Sequence, residues 1–131
     1  MTLSSYKILI VDDNKTFAET LSLLVRSTLG DRLSGIEMAS NGKEAVEMAL
    51  NDQYDIIFMD VHMPEMDGIE ATQIINRKMY RDTRIFAVSF EKDFNTITRM
   101  ITSGAENYLH KDTLTIESLE RIFNINPLQA N

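Results

Sequence analysis

Four short apolar runs punctuate the chain, at residues 8–11, 56–59, 85–88 and 108–109, and each gives way abruptly to polar side chains. Their flanks are too close together for long helices, and an uninterrupted apolar run of this length fits a strand covered on both faces. A weaker fifth strand is expected at 36–39, after the break at 30–35 and before Asn41-Gly42. Between the strands the apolar period becomes helical. Phe17, Leu21, Leu24, Val25 and Leu29 share one face of a helix starting near Asn14, and Ala45, Met48 and Ala49 share another. Ile69, Thr72, Ile74 and Ile75 predict a third helix. Phe94, Ile97, Met100 and Ile101 predict a fourth, stopped by Gly104, and Ile116, Leu119, Ile122 and Phe123 a fifth.

Five strand–helix units without repeats imply an α/β fold, a parallel sheet with helices on both faces joined by right-handed crossovers. In such a fold the ligand site lies beyond the carboxyl ends of the strands, where the strand order reverses. The residues that follow the apolar runs therefore belong together: Asp12-Asp13-Asn14, Asp60, Ser89 and Lys111. If the sheet has the flavodoxin-like order 2-1-3-4-5, the first and third strands are neighbours, and Asp12 and Asp13 approach Asp60.

Composition narrows the chemistry. The 131 residues fit one domain, expected over 1–124, with 125–131, including Pro127, as a tail, a linker start or a boundary. There is no cysteine, and the two histidines, His62 and His110, lack a partner at metal-ligand spacing, which leaves them as exposed loop or strand-edge residues. No run is long enough for a signal peptide or a membrane span, so a cytoplasmic protein is expected. Twenty acidic against thirteen basic side chains give a net charge of -7, which argues against binding a phosphate backbone and favours a cation or a basic partner surface.

Three carboxylates in one pocket repel one another unless a cation intervenes, and a small hard divalent ion with oxygen ligands, magnesium or alternatively manganese, meets that need. An aspartate with an intrinsic pKa of about 3.9 is already ionised near neutrality and needs no general base to attack phosphorus. Phosphoryl transfer asks chiefly for positioning and charge stabilisation, which the metal, Lys111 and the Ser89 hydroxyl would supply. The expected product is an aspartyl phosphate on Asp60. Taken singly, each residue has a plainer explanation: Asp12, Asp13 and Asn14 as a helix cap, Asp60 as a strand end, Lys111 as a surface cation, Ser89 as turn chemistry and Tyr108 as core. Their joint placement favours the site.

Asp12-Asp13, the stretch from Asp60 to Gly68 (DVHMPEMDG), Ala87-Val88-Ser89 and the stretch from Gly104 to Lys111 (GAENYLHK) together resemble the receiver domain of bacterial two-component response regulators, over nearly the whole chain. The resemblance implies that Asp60 accepts phosphate from a sensor histidine kinase or phosphotransfer protein. It also implies that Asp12, Asp13, Asp60 and the main-chain carbonyl of His62 hold the metal, and that Ser89 and Lys111 bind the phosphoryl group. Ser89 and Tyr108 match the pair that relays phosphorylation to the face formed by the fourth helix, fifth strand and fifth helix. That exposed face suits phosphorylation-dependent homodimerisation. Such a protein is a switch that catalyses its own phosphorylation and dephosphorylation, more than a metabolic enzyme, with no direct contact to nucleic acid or membrane by this domain.

Two positions depart from the family pattern. Phe90 stands where most receivers carry alanine or glycine, and its ring is expected to crowd the route to the phosphoryl group, slowing both autophosphorylation and hydrolysis. Asp112 replaces the usual proline after Lys111. Lys-Asp and the stretch Gly68-Ile69-Glu70-Ala71-Thr72 resemble receivers joined to helix-turn-helix output domains. Two rival readings are an aspartate-nucleophile phosphatase of the haloacid dehalogenase kind, whose Asp-x-Asp motif is not matched by the adjacent Asp12 and Asp13, and a phosphorylation-independent binding module, which Phe90 keeps in view.

Overall fold

The computed structural model describes residues 5–78 and 82–125; Pro127 and most of the expected tail lie outside them, as do residues 1–4. Strands β1 (Tyr6–Val11), β2 (Leu33–Ala39), β3 (Ile56–Met59), β4 (Arg84–Ser89) and β5 (Asn107–His110) alternate with helices α1 (Lys15–Leu29), α2 (Gly42–Asn51), α3 (Gly68–Lys78), α4 (Phe94–Ser103) and α5 (Ile116–Ile122). All strand pairs are parallel, as the alternation of elements predicts, and the strands stand in the flavodoxin-like order β2-β1-β3-β4-β5 considered above.

Successive strand residues point to opposite faces, and this divides the interior in two. Leu9, Val11, Ile57, Met59, Ile85 and Ala87 pack with Ala45, Ala49, Ile75 and Met100 from α2, α3 and α4. Ile8, Ile10, Ile56, Phe58, Phe86 and Val88 pack with Leu21, Val25, Leu119 and Ile122 from α1 and α5. Because both parities are covered, the strands carry continuous apolar runs. Each Val, Leu, Ile, Phe or Met among them, removed from water, contributes roughly 1.5–3 kcal/mol before chain entropy is set against it.

Local chemistry fixes the ends. Asn14, Asn41 and Asp93 cap α1, α2 and α4 through their side-chain oxygens, and Thr115 with Ser118 forms a capping box on α5. Gly104, at φ 127°, ends α4 as expected.

One expectation is corrected. β2 begins at Leu33, inside the expected break, because its ladder to β1 runs from Leu33 opposite Tyr6; an edge strand needs backbone pairing more than a continuous apolar run. Both α4 and α5 form as predicted; within α4, Met100 is fully buried, whereas Phe94 and Ile101 are 78% and 42% exposed, and Ile116 of α5 is also exposed. The helix lies beside the last strands of the sheet, where only one narrow stripe meets the core. His110 ends the edge strand β5, a strand-edge position as expected, and is half-buried there. Among the described residues no peptide bond is cis, so Lys111–Asp112 is trans, and no helix is long and apolar enough to cross a membrane.

Candidate functional site

The sheet order brings the sequence-separated carboxylates together. Val11 of β1 pairs with Met59 of β3, so the two strands end side by side, and the Asp60 N–H continues the ladder by donating to the Val11 carbonyl at 2.9 Å. Asp12 and Asp60 are buried while Asp13 is exposed, and carboxylate oxygens of the three lie within 4.8 Å of one another. Lys111 leaves the end of β5, its N–H donating to the Ser89 carbonyl at 3.1 Å. Its ammonium lies 2.7 Å from Asp12 Oδ2 and 3.6 Å from Asp60 Oδ2.

The cap explanation and the site explanation divide between neighbours. Asn14 Oδ1 accepts from the Phe17 N–H, whereas Asp12 Oδ1 accepts from the Asn14 N–H and keeps Oδ2 for Lys111. Asp60 Oδ1 accepts from the Val61 N–H at 2.8 Å, which leaves Oδ2 facing the pocket. Burial, and next the charge of Asp12, push the Asp60 carboxyl up to about 6, against the opposing pull of Lys111.

The loop after Asp60 is fixed by close backbone approach. Gly68 N–H donates to the Val61 carbonyl at 2.7 Å, and a methyl group on Gly68 would overlap the Asp60 carbonyl oxygen. Gly42, at the start of α2, donates to the Met66 carbonyl at 3.0 Å, while Met63 and Met66 pack onto the core. Two glycines thus hold the loop at both ends.

Asp60, His62, Ser89, Phe90, Glu91 and Lys111 line a pocket of about 350 Å³. Ser89 is buried, and its Oγ accepts from the Glu91 N–H at 3.2 Å. Tyr108, half-buried on β5, donates its hydroxyl to the Glu91 carbonyl at 2.7 Å. Phe90 is 60% exposed, so its ring borders the pocket mouth and does not fill it.

Glu91 escaped the sequence reading. Its carboxylate accepts from the Lys92 and Asp93 N–H groups and lies 2.8 Å from His62 Nε2, giving exposed His62 a partner across the mouth. The Asp93 N–H, and after it His62, hold the Glu91 carboxyl below the usual range. The apolar period places Phe17 on one face of α1; in the structure its ring centre also lies 4.4 Å from the Lys111 ammonium. Glu91 stands two residues after Ser89, which places it near the site in sequence, but no local signal announces its contact with His62 or that of Phe17 with Lys111.

The donor set suits a hard divalent cation. All three side chains offer carboxylate oxygens, and among the described residues no main-chain hydrogen bond ends on the His62 carbonyl, which keeps its lone pairs.

Comparison with known proteins agrees with this geometry. The chain is 41% identical to the transcriptional regulatory protein YdfI of Bacillus subtilis over 107 residues, covering 82% of this chain and 48% of that protein, so it spans about half the length of this relative. The signal receiver domain of NarL from Mycobacterium tuberculosis shares the fold, with a TM-score of 0.80 at 21% identity over 93% of this chain and 96% of that one. A chain of the CheX-CheY-BeF3-Mg+2 complex from Borrelia burgdorferi superimposes with a TM-score of 0.79 at 26% identity, covering 93% and 90% of the two chains. The family described as the response regulator receiver domain matches residues 8–123, the span from β1 to the residue after α5. With the acidic cluster, Asp60 and Lys111 all inside that span, the chain belongs to the receiver domains of two-component response regulators.

Proposed function

We propose that this receiver is a phosphorylation switch in which Asp60 accepts a phosphoryl group, with magnesium, or manganese in its place, held by Asp12, Asp13, Asp60 and the His62 carbonyl. The observation that carries this reading is a buried Asp60 with oxygen donors of Asp12 and Asp13 within 4.8 Å and the Lys111 ammonium at 3.6 Å. The magnesium-loaded complex named for the Borrelia relative supports the same cation here.

When bound, the metal supplies charge neutralisation for the phosphoryl oxygens. The chain's own residues do the rest. Asp60 Oδ1 stays tied to the Val61 N–H, so Oδ2 attacks phosphorus. An O–P bond forms, the donor's P–N bond to a kinase or phosphotransfer histidine breaks, and its electron pair returns to the imidazole. Lys111 moves from Asp12 onto a phosphoryl oxygen. Ser89 releases the Glu91 N–H to reach another, and the Tyr108 hydroxyl, tied to the Glu91 carbonyl, carries that change to the α4–β5–α5 face. A few charge-assisted contacts bias a two-state equilibrium in this way. The protein catalyses its own phosphorylation and dephosphorylation and acts as a switch in the cytoplasm, without touching nucleic acid or membrane itself. The name of YdfI, a transcriptional regulatory protein, supports an output that acts on transcription, and the exposed apolar residues of α4 support a phosphorylated homodimer.

Intact mass after incubation with acetyl phosphate and magnesium tests this. One added phosphoryl group is expected in the wild type, and none in Asp60→Asn or without metal. Absence of the adduct with both acetyl phosphate and a phosphorylated histidine donor would favour a phosphorylation-independent binding module, the reading that Phe90 at the pocket mouth supports.

Phe90→Ala is expected to accelerate both loading from acetyl phosphate and loss of the phosphoryl group severalfold, followed by mass spectrometry over time. Equal lifetimes would remove the steric role of the ring.

A further inference from the structure

We propose that Phe17 is a positioning residue for phosphoryl transfer, acting through the Lys111 ammonium; this rests on the phosphorylation reading above. The ammonium is 4.4 Å from the Phe17 ring centre and 5.4 Å from that of Phe90, both inside the range in which a cation is attracted to an aromatic face. Only 5% of the Lys111 side chain is exposed, so water offers little competing solvation, and the attraction is stronger than at a surface.

The two rings differ in anchorage. Phe90 is 60% exposed on the β4–α4 loop, whereas Phe17 is half-buried on α1 and packs against the core cluster that includes Ala18, Leu21 and Val25. Phe17 is also tied at its backbone, its N–H donating to the capping Asn14 at 3.0 Å. The cap that starts α1 therefore places the ring beside Lys111.

A lysine is a compact charge on a flexible stem. Carboxylates fix its distance from the acidic side, but Asp12 and Asp60 alone allow the ammonium to swing. A ring of fixed position limits that travel and holds the charge within reach of a phosphoryl group on Asp60. Leucine at position 17 fills similar space without a π face, and tyrosine restores the face.

The test compares wild type, Phe17→Leu and Phe17→Tyr, each alone and combined with Lys111→Met, by initial rate of Asp60 phosphorylation from acetyl phosphate and by beryllofluoride affinity, both in magnesium. Phe17→Leu is expected to slow loading and weaken beryllofluoride about five- to thirtyfold, with Phe17→Tyr near wild type and magnesium affinity, titrated with the metal alone, unchanged. In the Lys111→Met background, Phe17→Leu is expected to have no further effect, because the pair acts as one unit. Loading at the wild-type rate in Phe17→Leu would overturn the positioning role while leaving the phosphorylation reading intact. An equal loss in both backgrounds, or a parallel loss of magnesium affinity, would also overturn it by showing general packing damage. A wild type that takes no phosphoryl group from any donor would overturn both readings.

Discussion

Gly68→Ala is expected to destabilise the protein by about 3 kcal/mol, the upper part of the usual range for overpacking, and to lower its melting temperature by about 10 °C. A methyl group at this position would overlap the Asp60 carbonyl oxygen and lie 2.9 Å from the Asp60 carbonyl carbon. Both are backbone atoms, so no side-chain rotamer relieves the clash. Either α3 moves outward or the end of β3 shifts. The second response displaces the Asp60 carboxylate, so phosphorylation should fall further than stability alone explains. Gly35→Ala is the control: nothing lies within 4 Å of the added carbon, its φ is ordinary, and its effect should stay within about 0.5 kcal/mol. Thermal denaturation of the two variants, with adduct formation measured well below melting, decides the matter. A Gly68→Ala protein as stable as Gly35→Ala would show that the close approach is not structurally required.

Asp60→Asn is expected to stabilise the metal-free protein near pH 7, by about 2 kcal/mol. Burial and the neighbouring Asp12 charge raise the Asp60 carboxyl from 3.8 to about 6 in the folded protein. Between these values the folded chain holds a proton that the unfolded chain has released. The stabilising contribution of that proton is complete below pH 4 and lost as pH rises through about 6. Asparagine keeps an oxygen for the Val61 N–H and carries no charge for Asp12 to repel. The gap between variant and wild type in chelator should therefore open from pH 4 to pH 7, and saturating magnesium should narrow it by satisfying the wild-type carboxylates. A gap that is constant across this pH range, or reversed, would mean that Lys111 already compensates the buried charge.

These expectations draw on different levels of information. The apolar runs at β1, β3 and β4 determine strands covered on both faces, because only such strands bury both parities, and the helical periods between them determine the alternation. Asn14, Asn41 and Gly104 mark helix ends through side-chain and φ requirements that act locally. The polar residues closing each strand follow from the same logic, so Asp12, Asp60, Ser89 and Lys111 were identifiable before any coordinate. Local pattern failed where a surface depends on neighbours. The apolar positions of α4 specify a helix, yet the packing of α4 beside the end of the sheet decides that Phe94 and Ile101 stay exposed while Met100 is buried. Edge strand β2 is likewise defined by its ladder to β1 more than by its own composition. Only the tertiary structure decided that Glu91 would join His62, Ser89 and Tyr108, and that Phe17 would face Lys111. The Glu91–His62, Glu91–Tyr108 and Phe17–Lys111 contacts join residues distant in the chain through short-range interactions of a few ångströms, and chain order alone does not encode such distances.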